Sequence, residues 1–265
     1  MTDQQSADLD KLPSKSAVRK AGSAIRQVMR KSEAATIEIT SEKDPAELET
    51  DKDILQRAIS VIDLYRSHFS KPMGRVEQTL RDICVGTDFD TQITSRLKRL
   101  PTIINKLRRP DNTDLSRMED IGGCRVVVET YDELNVLHEL VRREYANRVH
   151  RERDYVATPR DSGYRSVHLI VKEPSSDLKI EIQLRTRLMH DWADLVESFS
   201  RIMSEDFKQS GSHIVQEFMK LQSTFSAWQE GLGPELTLDE MKELRILGMR
   251  VQELLGSMTG EPERK

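Results

Sequence analysis

The run Ile180-Glu181-Ile182-Gln183-Leu184-Arg185 constrains the fold more than any other segment. Its apolar and polar residues alternate at a period of two, which only a half-buried strand satisfies. Three further runs read as strands: 121–129 (IGGCRVVVE), about 150–157 and 164–172. Turn-forming PRDSG separates 150–157 from 164–172, and EPSSD separates 164–172 from the strand of the opening run, about 178–186. A short strand over 93–99 precedes them, and Pro101 suits the first turn of a helix reaching Arg109. Tyr131–Tyr145 is an amphipathic helix. The centre of the chain therefore reads β-α-β-α-β-β-β-α. That is an α+β fold, a mixed sheet of about five strands flanked by helices.

Helices frame this centre. Residues 14–30, 51–69 and 73–84 carry apolar positions at helical spacing, and 32–50 reads as a linker around Pro45. Residues 1–13 read as a disordered polar tail. From Arg187 onward the chain reads helical, interrupted near Gly231–Pro234. Three parts follow: 1–50 as tail, helix and linker, 51–200 as the main domain, and 201–265 as a helical extension. In that extension Ile214, Phe218, Leu221, Phe225 and Trp228 form an apolar set that can pack on the core or on another subunit.

Among 265 residues, 32% are charged and the net charge is −4, which excludes a globally basic nucleic-acid binder. Cys84 and Cys124 are too far apart in sequence to form a CxxC metal pair, and read as buried thiols in a reducing compartment. No apolar run is long enough for a membrane span, and the first residues lack a secretion-signal core. A cytoplasmic protein without a membrane partner is the expectation.

Four constellations carry chemistry. The stretch Arg96-Leu-Lys98-Arg99-Leu-Pro-Thr-Ile-Ile-Asn-Lys106-Leu-Arg108-Arg109 has six basic residues and no acidic one, in a chain acidic overall. Arg96 and Lys98 share a strand face, Ile103, Ile104 and Leu107 face the core, and Lys106 can point back toward the strand. Clustered cations of this kind suit a polyphosphate. Asp120-Ile-Gly-Gly-Cys-Arg125 places an acid at the lip of a buried strand, beside glycines that permit close approach of a ligand. In Thr158–His168, alternation puts Tyr164, Ser166 and His168 on one face, where a ring can stack a base and polar groups can reach phosphate or ribose. In 180–185, Glu181, Gln183 and Arg185 share the polar face. Two carboxylates, Asp120 and Glu181, with substrate phosphates, make a plausible Mg²⁺ site. Each pattern also has a plain structural reading, as a solvated helix, a capping turn or a wet strand face.

Taken in order, R-L-K-R-L-P-T-I-I-N-K-L, D-I-G-G-C-R, G-Y-R-S-V-H and E-I-Q-L-R-T followed by M-H-D-W-A-D resemble the synthetase domain of the RelA/SpoT family, small alarmone synthetases included. The resemblance covers about Arg96 to Glu197. It implies a nucleotidyltransferase-like sheet and transfer of the β,γ-diphosphate of ATP to the 3′-hydroxyl of GDP or GTP, giving (p)ppGpp and AMP. It implies that Arg96 and Arg125 sandwich the adenine, and that Lys98 and Lys106 bind the ATP phosphates. Asp120 and Glu181 would hold Mg²⁺ and serve catalysis. Tyr164 would stack on the acceptor base, with Arg160, His168 and Gln183 on the acceptor nucleotide. Ser166, His190 and Trp192 also match, the last two favouring structural roles. His68 is the one histidine before Arg96, too few for the family's hydrolase module, so synthesis without degradation is expected. Alternatives stay open: a toxin-type member acting on the tRNA 3′ end or adenine nucleotides, with an antitoxin partner, and a catalytically silent nucleotide-binding homologue. Family members often form homo-oligomers through terminal helices.

Overall fold

The computed structural model describes residues 11–37, 45–109, 114–176, 178–203 and 214–259. The tail expected over 1–13 lies mostly outside these residues. Helices α1 (Lys15–Ile37), α2 (Pro45–Ser67) and α3 (Ser70–Val85) lead into β1 (Gln92–Leu97), α4 (Leu100–Arg108) and a single 3₁₀ turn at Leu115–Arg117. Then follow β2 (Gly122–Val128), α5 (Tyr131–Glu144), β3 (Val149–Asp154), β4 (Val167–Lys172), β5 (Lys179–Thr186), α6 (Arg187–Met203), α7 (Ile214–Gln229) and α8 (Leu238–Thr259). The five strands form one mixed sheet flanked by helices, as the sequence pattern predicts, and their order within it is β1-β2-β5-β4-β3. No helix among the described residues is long and apolar enough to cross a membrane.

The expected linker over 32–50 is mostly not one. α1 runs on to Ile37 and α2 already starts at Pro45, with only 38–44 outside the described residues. Proline opens a helix readily because the N–H it lacks would find no partner there.

The chain divides into two compact units. The first comprises 1–79, 94–124 and 170–181. In it Val18, Ala21, Ile25 and Val28 form the buried stripe of α1, at the three-four spacing of a helix face. Gly22 lets this helix close on its neighbours, since a Cβ there would lie 3.0 Å from Leu115 Cβ. Ile103 and Leu107 of α4 are buried as expected, while Ile104 is only half-buried. The β4–β5 turn is fastened by Glu173. Its carboxylate takes both prongs of the Arg75 guanidinium at 2.7 and 2.9 Å and the amide N–H groups of Ser175 and Ser176. The Arg75 bond foremost, with the Ser176 and Ser175 donors, pulls the carboxyl down to about 2. Cys124 is buried here, and burial pushes its thiol up to about 12, an inert group.

The second unit comprises 80–93, 125–169 and 182–265. α5 begins with a capping box: Thr130 Oγ1 accepts from the Glu133 N–H while Glu133 accepts from the Thr130 N–H. Its buried Leu134, Leu137 and Val141 follow the same helical stripe. The core of this unit gathers Tyr164, Trp192, Ala193, Val196, Phe199, Val215, Met219 and Val251. α7 thus buries Val215 and Met219, while Ile214, Phe218, Leu221, Phe225 and Trp228 stay half-buried beside them.

Candidate functional site

In the first unit a carboxylate sits between two lysines. Asp120 precedes β2. Its Oδ2 accepts from Lys98 Nζ at 2.8 Å, and Lys106 Nζ donates to both oxygens at 3.1 and 3.2 Å. All three side chains are withdrawn from solvent, at 17% (Lys98), 30% (Lys106) and 22% (Asp120) exposure. Burial works against the charge on Asp120, but Lys98 and Lys106 outweigh it and hold the carboxyl below the ordinary aspartate range. The backbone fixes this triad. Lys98 donates its N–H to the Ile121 carbonyl at 2.8 Å, and its own carbonyl accepts from Arg66 Nε at 2.8 Å. Lys106 reaches back from the last turn of α4, as its spacing predicts.

The other predicted members of this half are nearby in the sheet. Arg96 is exposed on β1, and Lys98, one residue past its end, is half-buried. Glu181 is half-buried on β5, the strand next to β2. Gly123 packs against it: a Cβ there would lie 3.7 Å from the Glu181 carbonyl. No group of three or more His, Cys, Asp or Glu residues able to hold a metal occurs among the described residues. Asp120, kept ionised, and Glu181 carry hard oxygen donors of the kind a divalent ion takes.

The second unit holds an aromatic and cationic cluster. Tyr164 is only 6% exposed. Its hydroxyl is 2.7 Å from His168 Nε2 and accepts from Arg185 Nη2 at 2.9 Å. The rings of Tyr155, His168 and Trp192 surround it at 5.7, 5.7 and 6.2 Å. The Arg160 guanidinium lies 4.5 Å from the Tyr155 ring centre and 5.4 Å from that of Tyr164, and Arg185 lies 5.3 Å from Tyr164. Burial alone would raise the phenol, yet Arg185 and His168 bring it down to about 7.

This differs from the sequence reading in two ways. β4 starts at Val167, so Tyr164, Ser166 and His168 are not one row on a strand face. Gly163 has φ +91°, and 160–164 closes on itself through Gly163 N–H to Arg160 O and Arg160 N–H to Tyr164 O. Ser166 is fully buried, its Oγ donating to the Leu184 carbonyl at 3.1 Å. Second, Arg185 is not solvated like the rest of its strand face. It is 3% exposed, with Nη2 also donating to Gln183 Oε1, two residues back on the same face, at 3.0 Å. Alternation gives its face but not its burial, which the Tyr164 hydroxyl and ring make tolerable for a guanidinium. Tyr155 was not singled out by the sequence, although an aromatic just before a turn was its one available signal.

Arg125 also belongs to this unit. Its Nη1 lies 3.5 Å from His190 Nδ1 and 3.7 Å from Asp194 Oδ1, and His190 Nε2 lies 3.5 Å from Asp194 Oδ2. Burial, with Arg125 and Arg185, lowers the imidazole pKa against the pull of Asp194. A neutral ring that accepts from Arg125 at Nδ1 and carries its proton at Nε2 fits these contacts. Trp192 donates from Nε1 to the Met219 carbonyl at 2.7 Å, a structural role.

Residues 95–200 match the family model described as a region found in RelA / SpoT proteins. The GTP pyrophosphokinase YjbM of Bacillus subtilis (strain 168) is 31% identical over 137 residues, 49% of this chain and 61% of that protein. The chain thus aligns with under two thirds of that relative's length. The crystal structure of small alarmone synthetase 1 from Bacillus subtilis superposes with a TM-score of 0.51 at 26% identity, covering 71% of this chain and 97% of that one. A GTP pyrophosphokinase family protein from Streptococcus pneumoniae shares the fold, with a TM-score of 0.52 at 23% identity over 71% of this chain and 95% of that one.

Proposed function

We propose, from the premise that residues 95–200 form a RelA/SpoT-family synthetase domain, that this chain is a GTP/GDP pyrophosphokinase making (p)ppGpp. The observation that carries this reading is Asp120 held ionised between Lys98 and Lys106. Two buried-side lysines on one carboxylate form a site that trades one anion for another. When ATP binds, its phosphates take over the ammonium groups, and the carboxylate is released toward a metal. Arg96 and Arg125 are assigned to the adenine, Lys98 and Lys106 to the phosphates. Arg160, Tyr164, His168 and Gln183 are assigned to the acceptor nucleotide, with Tyr164 at its base. Mg²⁺, held by Asp120 and Glu181, would neutralise charge on the transferred diphosphate.

The chemistry balances simply. The 3′-oxygen of the acceptor bonds to Pβ of ATP, the bond from Pβ to the α,β-bridging oxygen breaks, and AMP leaves. The hydroxyl proton needs an acceptor. Asp120 or Glu181, the two carboxylates assigned to catalysis, would take it. The remaining work is charge neutralisation and alignment.

One assay tests the reading: ATP labelled in its γ-phosphate is incubated with GDP, GTP, ATP or tRNA, and the labelled product is identified. Label on guanine nucleotides alone is expected. Label on tRNA or adenine nucleotides alone replaces the acceptor, and no transfer to any of them supports a silent nucleotide-binding protein. Preformed ppGpp should persist in the same reaction, as synthesis without hydrolysis requires. Glu181→Gln should abolish transfer with the fold intact, and undiminished activity removes Glu181 from the mechanism.

A further inference from the structure

Helix α7 lies beyond the family-matched residues, yet it grips the loop that carries Arg160 and Tyr164. The Ser223 hydroxyl donates to the Gly163 carbonyl. Arg165 Nη1 donates to the Ser223 carbonyl at 2.6 Å and to its Oγ at 3.3 Å. One serine therefore ties both sides of Tyr164. The contact is also sterically tight. A Cβ on Gly163 would lie 2.8 Å from Ser223 Cβ and 3.3 Å from the Lys220 Cα, so only glycine lets the helix come this near.

The same interface buries charge. The Glu230 carboxyl, just past the end of α7, has both oxygens withdrawn from solvent. It lines a cavity of about 10 Å³ together with Arg165, Trp192, Ser223 and Ser226. Tyr164 itself packs in the core cluster with Val215 and Met219 of α7. Because Gly163 N–H bonds Arg160 O at 2.8 Å and Arg160 N–H bonds Tyr164 O at 3.2 Å, a shift at Gly163 moves both neighbours.

We infer that Ser223 is a positioning residue for acceptor binding: through it, helix α7 sets the conformation of the 160–165 loop and so the placement of Arg160 and Tyr164. The inference rests on the acceptor role proposed above for those two residues. The occupant served is the acceptor nucleotide, since Arg160 and Tyr164 are the residues this loop carries, whereas the triad of Lys98, Lys106 and Asp120 assigned to the ATP phosphates makes no contact with Ser223.

The test uses the full chain, its Ser223→Ala variant and its Ser223→Thr variant, which keeps the hydroxyl. Amide hydrogen exchange over 158–166 is read without nucleotide, and KM for acceptor, KM for ATP and kcat are read in the transfer assay. Losing the hydroxyl removes a net hydrogen bond and loosens its partners, so acceptor KM should rise about tenfold in Ser223→Ala. Exchange over 158–166 should quicken, KM for ATP and kcat should stay within about twofold, and Ser223→Thr should recover most of the loss. Unchanged exchange in Ser223→Ala overturns the clamp, whatever the kinetics. Faster exchange with unchanged acceptor KM overturns the link to acceptor binding. A rise shared equally by both KM values means a general structural role and also overturns it. A parent chain without transfer fails the functional reading separately, and the exchange measurement still decides the clamp.

Discussion

Replacing Asp120 by Asn tests the physical basis of the candidate site before any substrate is added. The change deletes the charge that joins Lys98 and Lys106 and leaves two ammonium groups facing each other. Each lost bond is of the charge-assisted class, but both share one carboxylate and the side chains are 17–30% exposed. The loss is therefore about 2–3 kcal/mol at neutral pH, below the sum of two independent bonds. At ~2–4 °C per kcal/mol for a chain of this size, the midpoint should fall by roughly 4–12 °C. The pH dependence sharpens the test. The carboxyl is depressed in the folded protein relative to its ordinary value of 3.8. Its contribution is complete above that value and is lost as pH falls through the lower folded value. Urea unfolding of parent and Asp120→Asn should thus show a gap at neutral pH that closes in strong acid. A variant as stable as the parent at neutral pH, or a gap that persists undiminished in acid, refutes the ion-paired carboxylate.

Two further outcomes follow from the second unit. Tyr164 is depressed from 10.0 to about 7, so its contribution to stability is present above the unfolded value and lost as pH falls through about 7. The stability advantage of the parent over Tyr164→Phe should therefore grow between pH 7 and 10 in urea titrations, and a constant advantage would show that the hydroxyl does not ionise there. Glu230 shows the opposite sign: burial raises its carboxyl, with Thr186 and Arg165 opposing, so its folded value lies above 4.5. Stability is lost as pH climbs from the unfolded value through the folded one, and Glu230→Gln should raise the thermal midpoint more at pH 8 than at pH 4.

The sequence shows what is set by local pattern and hides what is set by packing. The strands of the sheet, their order along the chain and the basic stretch around Lys98 and Lys106 follow from alternation and charge. The return of Lys106 toward the strand was legible because helical spacing fixes its direction. Pro45 opens α2 although the sequence reads it as part of a linker, because proline marks both a loop and the first turn of a helix. Tyr164 and Ser166 were expected on a strand face. Whether the strand begins at 164 or 167 depends on the positive φ of Gly163, which the close approach of α7 explains and which no local pattern announces. Ser223 and the burial of Arg185 escape for the same reason. Their partners are Gly163, 60 residues away, and Tyr164, 21 residues away.

Pyrophosphate transfer is read by phosphorus NMR of a complete reaction with ATP, GDP and Mg²⁺. AMP should form in equal amount with a guanine nucleotide carrying a diphosphate on its 3′-oxygen, with no accumulation of ADP. ADP appearing alongside a monophosphorylated acceptor would mean attack at the γ-phosphorus and would contradict pyrophosphate transfer.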